Sequence, residues 1–280
     1  MVYTKFLSRT ILTIIFLFNT EYQAISQQSV SSSNYLAKDP IGKPQALLIL
    51  IPGLGSSPES VFDDTELETA AAQYGVVTIV PKIQANIILD DATHQTIMNI
   101  TKDALQRYRV SNDRVIIGGF SAGGSMALLV AERAIKEKSV IRPKGVIAID
   151  PPVDLAHLWA TYTKSLQRNP SLPSAQEATT LTKYMQDLTG GTPMERKDEY
   201  TRYSAYTSSL ANGGNAQYLT KTPIRIYCEP DTAWYKTNRG YDYQDLNASC
   251  SIPMVQKLQK AGNKNAQVII TNSLDILKKE

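Results

Sequence analysis

Residues 114–134, RVIIGGFSAGGSMALLVAERA, decide the fold of this chain. Residues 114–118 form a short apolar run rich in β-branched residues and predict a buried strand, whereas the residues from Ser121 onward predict a helix. The junction, Gly119-Phe120-Ser121-Ala122-Gly123, fits the pattern G-x-S-x-G, in which a serine occupies a sharp turn from strand to helix. Small neighbours leave room for such a turn, and the helix N-terminus directs backbone N–H groups toward developing negative charge.

Strand and helix patterns alternate on both sides of this stretch. Five further apolar runs are continuous rather than alternating, which is typical of strands buried on both faces of a parallel sheet. They are 46–51 (ALLILI), 76–80 (VVTIV), 145–149 (GVIAI), 223–228 (PIRIYC) and 266–271 (AQVIIT). Helical patterns cover 63–73, 91–108, 121–137 and 251–261. The sequence therefore predicts an α/β fold with a doubly wound, mostly parallel sheet.

The remaining segments define the expected domain organisation. Residues 151–221 contain helical patches but no convincing strand, and we expect them to form a helical cap inserted over the sheet. The core is then residues 45–150 together with 222–280. The serine-rich residues 27–44 are expected to be a polar lead-in rather than part of the core.

The first 26 residues differ from the rest. Lys5 and Arg9 precede an apolar run at 11–18 (ILTIIFLF), and Ala24-Ile25-Ser26 has the small residues of a cleavage site. This arrangement predicts a signal peptide at residues 1–26 and a secreted or periplasmic protein. An uncleaved anchor is the alternative, although the run is shorter than the roughly 20 apolar residues that a membrane span needs.

Composition excludes several classes of protein. The chain has 29 Lys and Arg against 26 Asp and Glu, with no basic run, so we expect no nucleic-acid partner. Only two Cys and two His are present, so we expect no metal site, and we expect no cofactor. We expect a small-molecule ester as the partner. We also expect the protein to have no stable membrane anchor.

The sharp turn at residues 119–123, called the elbow below, and a second motif together resemble the α/β-hydrolase superfamily, in particular exported esterase-like members with a helical cap. The second motif is Pro52-Gly53-Leu54-Gly55, directly after the first of these core strands. The resemblance implies that Ser121 is the nucleophile and that the backbone N–H groups of Leu54 and Ala122 form the oxyanion hole.

The resemblance also implies an acid and a histidine. The acid follows the strand after the cap, which selects Asp231, with Glu229 in reserve, whereas Asp150 would serve in a minority topology. The histidine belongs in the loop after residues 266–271, yet no histidine follows His157.

Three explanations for the missing histidine stay open. One of the two histidines of the chain could substitute for the missing one, and His157, at the root of the cap, is better placed than His94. The chain could be a shortened form of an active enzyme, or it could be a catalytically inactive binding protein with a hydrolase fold. The sequence therefore predicts a serine hydrolase of carboxylic esters with weak activity, and a pseudo-enzyme is the alternative.

Cys228 and Cys250 raise a separate question. One ends a strand and the other precedes the helix at 251–261, so a crossover would bring both to the same edge of the sheet. In an exported protein this placement favours a disulfide. Two buried free thiols are the alternative.

Overall fold

The computed structural model describes residues 29–84, 86–168 and 172–271. The predicted signal peptide at 1–26 lies outside these residues. None of the described helices is long and apolar enough to cross a membrane.

Eight strands form one sheet in the order β1-β2-β4-β3-β5-β6-β7-β8. The pairs β1–β2 and β2–β4 are antiparallel, and every other pair of neighbouring strands is parallel. The strands are β1 (Ser29–Ser31), β2 (Tyr35–Lys38), β3 (Ala46–Ile51), β4 (Val76–Pro81), β5 (Val115–Phe120), β6 (Pro143–Ile149), β7 (Ile224–Cys228) and β8 (Ala266–Ile270). The prediction of a mostly parallel α/β sheet is confirmed.

Helices connect the parallel strands. They are α1 (Pro58–Asp63), α2 (Leu67–Ala72), α3 (Asp91–Tyr108), α4 (Ala122–Lys136), α5 (Leu155–Gln167), α6 (Leu172–Thr189), α7 (Lys197–Tyr203), α8 (Thr232–Arg239) and α9 (Ala248–Lys260). Strand β3 shows why the sheet is covered on both faces. Leu47 and Ile49 belong to the main core cluster, whereas Leu48 and Leu50 belong to a separate cluster on the opposite face.

The expectation that residues 27–44 lie outside the core is wrong. Strand β2 pairs with β4, and its alternate side chains Tyr35 and Ala37 are almost completely buried. Only two side chains of this four-residue strand enter the core, so the surrounding polar residues conceal the apolar alternation in the sequence.

The segment between β6 and β7 is helical, with α5, α6, α7 and a 3-10 turn at Gly214–Leu219. Helices α5 and α6 pack on each other around Leu155, Tyr162 and Met185. Ala122, the first residue of α4, belongs to the same apolar cluster. The segment is therefore packed directly against the elbow.

Asp154 fixes the entry into this segment. Its Oδ1 accepts hydrogen bonds from the N–H groups of Ala156 and His157, both at 3.1 Å, which caps α5. Its Oδ2 accepts from the N–H of Ser208 at 2.8 Å and from the hydroxyl of Ser208 at 2.7 Å. One buried carboxylate thus ties the start of α5 to the residues that follow α7.

The expected disulfide does not form. Cys228 and Cys250 are both free, and both are buried in the main core cluster. Burial raises the pKa of each thiol to about 12, so each behaves as a small apolar side chain. Cys250 lies inside α9 rather than before it, and each thiol packs into the core without bonding to the other.

Candidate active site

Ser121 occupies a strained turn between β5 and α4. Its backbone has φ 52° and ψ −122°, which a residue with a side chain rarely adopts. The Ser121 N–H donates to the Ile149 carbonyl at 2.8 Å, and the Ser121 carbonyl accepts from the N–H of Gly124 at 2.9 Å. These bonds hold the serine at the carboxyl end of the sheet.

Two glycines make this turn sterically possible. A Cβ atom added to Gly119 would clash with the backbone of Gly123, and one added to Gly123 would clash with the carbonyl oxygen of Ile51. Strand β5, strand β3 and helix α4 therefore approach one another more closely than any side chain would allow. This is the physical reason for the small residues in the motif.

Two backbone N–H groups lie beside the serine. Ala122 is the first residue of α4, so its N–H has no partner within the helix. Leu54 lies on a turn that the Ser56 N–H closes by donating to the Gly53 carbonyl at 3.0 Å. Leu54, Ser121 and Ala122 line one cavity, so the structure brings together the predicted nucleophile and both predicted oxyanion residues.

This cavity has a volume of about 340 Å³, within the range of small-molecule sites. Its titratable side chains come from the ends of β6 and β7, from the helical segment and from the residues after β7. They are Asp150, Tyr162, Glu177, Glu229, Tyr235, Arg239, Tyr241 and Asp245. A larger cavity of about 600 Å³ lies between α9 and residues 206–220, but none of the described residues that line it is a serine, a histidine or a carboxylate. The cavity at Ser121 is therefore the candidate active site.

Asp150 is the carboxylate next to the elbow. The Asn247 side-chain amide donates to its Oδ2 at 3.1 Å and to its backbone carbonyl at 3.0 Å. Burial raises the pKa of the Asp150 carboxyl above its ordinary value, and the negative charge of Glu229 adds to this effect.

The opposite wall carries a polar cluster. Arg239 forms an ion pair with Glu177 at 2.7 Å, and the Tyr162 hydroxyl donates to the same carboxylate at 3.2 Å. The rings of Tyr235 and Tyr241 stack with centroids 6.4 Å apart. Sequence reasoning missed Glu177, Arg239 and these tyrosines as lining residues. The high density of tyrosine between 151 and 243 was the one available signal.

Asp231 does not line the cavity. Its Oδ1 accepts a hydrogen bond from the Trp234 N–H at 2.9 Å, so its side chain caps helix α8. The reserve acid Glu229 and the alternative acid Asp150 do line it. The structure thus brings these two carboxylates to the serine, in place of the acid that the resemblance implies.

Neither histidine reaches the serine. His157 lies in the first turn of α5, and its Nε2 is 3.2 Å from the Ser249 hydroxyl. His94 is buried in the first turn of α3, where burial lowers the pKa of its imidazole. Within the described ranges no histidine lines the cavity, and no group of three His, Cys, Asp or Glu could hold a metal ion.

The fold and this site define an α/β-hydrolase. A family model described as "alpha/beta hydrolase fold" matches residues 78–220, just over half of the chain. The chain belongs to this family. No curated protein matches it in sequence.

Solved structures share the fold at low identity. A carboxyl esterase of Tuber melanosporum matches with a TM-score of 0.58 and 16% identity, over 90% of this chain and 79% of that one. A fluorophosphonate-binding serine hydrolase of Staphylococcus aureus has a TM-score of 0.50 and 13% identity, over 88% of each chain. An acylaminoacyl peptidase of Pyrococcus horikoshii has a TM-score of 0.54 and 12% identity, over 88% of this chain, which spans only 35% of the peptidase.

Proposed function

We propose that this chain is a serine hydrolase that cleaves carboxylic esters through an acyl-enzyme on Ser121. The observation that carries the proposal is the strained turn at Ser121, which places the serine in the cavity beside the N–H groups of Leu54 and Ala122. Strained backbone outside glycine is typical of catalytic positions. The fold shared with an esterase and with a fluorophosphonate-binding hydrolase supports this reaction class.

The reaction follows from these positions. The Ser121 hydroxyl attacks the ester carbonyl, and the two N–H groups stabilise the oxyanion that develops. Loss of the alcohol leaves an acyl-enzyme, which water then hydrolyses. The helical segment forms one wall of the cavity, so it contributes to the choice of substrate.

An inactive binding protein with a hydrolase fold is the second candidate. The observation that favours it is that neither His94 nor His157 lines the cavity. Under this alternative the cavity binds an ester-like molecule without cleaving it.

Labelling with a fluorophosphonate probe tests the proposal. We expect one adduct, on Ser121, and no adduct after Ser121→Ala. Ser33→Ala, a change at an exposed serine, is the matched control and should label like the wild type. Peptide mapping that finds no adduct on native protein, or finds it on another residue, would refute the assignment.

We expect slow turnover of p-nitrophenyl acetate, well below the roughly 10 s⁻¹ of an ordinary enzyme. No histidine among the described residues lines the cavity, so the Ser121 nucleophile lacks the imidazole base that ordinarily activates a serine. Ser121→Ala should remove most of the remaining rate. If labelling fails and turnover equals that of Ser121→Ala, the inactive binding protein is the correct alternative.

We further propose that the protein acts outside the cytoplasm. Its basis is the sequence pattern of residues 1–26 alone. Expressed with this N-terminus in a secreting host, the exported protein should begin near Gln27, as N-terminal sequencing would show. An exported protein that retains Met1 would instead indicate an anchor.

A further inference from the structure

Asp150 and Ser121 share an unusual backbone conformation. Among the described residues other than glycine, only Arg109, Ser121, Lys138 and Asp150 have a positive φ. Arg109 caps the end of α3, and Lys138 follows the end of α4, where a left-handed residue is common. Ser121 (52°) and Asp150 (44°) have no such explanation, and both line the cavity. Strain at two facing positions indicates a functional arrangement.

Ser121 and Asp150 lie side by side at the carboxyl end of the sheet. Phe120 pairs with Ile149 in the parallel register of β5 and β6, so Ser121 and Asp150 are the next residues along the two strands. Neighbouring strands are about 4.8 Å apart, so Ser121 and Asp150 are adjacent residues across the ends of these two strands. The Asp150 N–H donates to the Tyr227 carbonyl at 2.7 Å, which fixes the aspartate from the other side.

One oxygen of the Asp150 carboxylate is held and the other is available. Asn247 donates to Oδ2, whereas no hydrogen bond or ion pair joins Oδ1 to any described residue. Asp150 is half-buried, and desolvation raises the pKa of its carboxyl, which makes it a stronger base than an exposed aspartate.

Other carboxylates of the cavity are less suited to act on the serine. Glu177 is paired with Arg239, and Asp245 is paired with Lys164 at 2.9 Å and Arg168 at 2.7 Å. Glu229 follows β7, which is one strand farther from the elbow than β6.

We propose that Asp150 is the catalytic base of this site and takes the proton of Ser121 directly. This inference rests on the proposed function. The serine Oγ–H bond breaks to give the proton to the carboxylate, and the oxygen forms a bond to the ester carbon while the carbonyl electron pair moves to oxygen. Collapse breaks the bond to the alcohol oxygen, which takes the proton from Asp150. In the second half, Asp150 takes a proton from water while the water oxygen forms a bond to the acyl carbon. Collapse then breaks the bond between the acyl carbon and the Ser121 oxygen, which takes the proton from Asp150 as the carboxylic acid leaves.

The test compares the same substitution, aspartate to asparagine, at positions 150 and 231. Asp150→Asn keeps the size of the side chain and a residue that tolerates positive φ, but it cannot accept the proton. We expect fluorophosphonate labelling of Ser121 and ester turnover to fall by about 10²-fold or more. Asp231→Asn is the matched variant, because an asparagine also caps a helix, and its rate should stay at the wild-type value. Equal thermal midpoints would show that both variants are folded.

The pH dependence of labelling gives a second test. We expect the labelling rate to rise with pH through an ionisation above 3.8, and Asp150→Asn to lose this dependence. The titratable groups that face Asp150 are Glu229, Cys228 and Tyr235. Burial raises the pKa of the thiol and of the phenol, so neither gives an acid limb. Glu229→Gln removes the charge that adds to the raised pKa of Asp150, so the limb should persist and move to lower pH.

The outcomes separate this inference from the proposed function. If the wild type does not label at Ser121, the proposed function fails. If it labels and Asp150→Asn labels equally fast, or if the wild-type rate is flat across the acid range, Asp150 is not the base. A loss confined to Asp231→Asn would restore the acid that the family resemblance implies.

Discussion

Gly123→Ala is expected to lower the free energy of unfolding by about 2 kcal/mol and to slow labelling of Ser121 by about 10²-fold. The new Cβ would meet the carbonyl oxygen of Ile51 and lie 2.7 Å from that of Pro52. Both neighbours are backbone atoms at the end of β3, so no side-chain rotation can relieve the contact. Helix α4 or the loop at 52–55 must move.

The sign of this prediction depends on two opposing effects. Alanine favours a helix over glycine by about 1 kcal/mol, which would stabilise α4. Overpacking costs about 1–3 kcal/mol, and this contact, closer than any real Cβ tolerates, lies at the upper end, which leaves a net loss of about 2 kcal/mol. The clash therefore outweighs the gain in helix propensity.

The expected loss of labelling follows from the same displacement. Leu54 lies on the loop that the added methyl group would push, and Ala122 precedes the substituted residue. A misplaced oxyanion donor costs about 10²–10³ in rate. Two donors are affected by one methyl group, so activity should fall even where the protein remains folded.

Gly145→Ala is the matched control for this prediction. A Cβ at Gly145, in β6, would have its nearest neighbour at an ordinary 3.4 Å. Chemical denaturation and probe labelling of both variants would separate a specific clash from a general loss of glycine. Equal stability and equal labelling of Gly123→Ala and wild type would show that the close packing at the elbow is unnecessary.

The features that sequence predicted well are those decided by neighbouring residues. The strand, the turn and the helix at 114–134 lie within 21 consecutive positions, and the motif contains the glycines that the close approach requires. The central strands were recognised because burial on both faces gives continuous apolar runs. Strand β2 was missed because only Tyr35 and Ala37 are buried, too few for a pattern.

The features that sequence did not reveal depend on how distant segments pack. Asp231 stands at the position that the family resemblance selects, yet its carboxylate caps α8. The orientation of Asp150 depends on Asn247, 97 positions away. The buried thiols differ from a disulfide only in how β7 and α9 pack. Spacing along the chain contains none of this information.

Glu132 in helix α4 is the second position where a large effect is expected. Its side chain is 2% exposed, and neither carboxylate oxygen has a hydrogen-bond partner among the described residues. Burial raises the pKa of this carboxyl well above 4.5. The folded protein therefore holds this proton to a higher pH than the unfolded chain does.

The sign of the pH dependence follows from this difference. A carboxyl whose pKa is raised in the folded state gives its full stabilisation below its unfolded pKa and loses it as pH rises. Above pH 4.5 the free energy of unfolding should fall by about 1.4 kcal/mol per pH unit while Glu132 stays protonated.

Glu132→Met is therefore expected to stabilise the protein at pH 7 by about 2 kcal/mol, because it keeps the side-chain volume and removes the unpaired carboxyl. The gain should shrink toward pH 4.5, where the wild-type carboxyl is protonated in both states. Glu137→Gln, on the same helix but exposed and paired with Arg133 at 2.7 Å, is the control and should change stability by about 0.5 kcal/mol or less. Urea denaturation of the three proteins across this pH range provides the measurement. A Glu132→Met variant that is no more stable than wild type at pH 7, or whose pH dependence matches that of wild type, would show that the buried carboxyl is not protonated in the folded state.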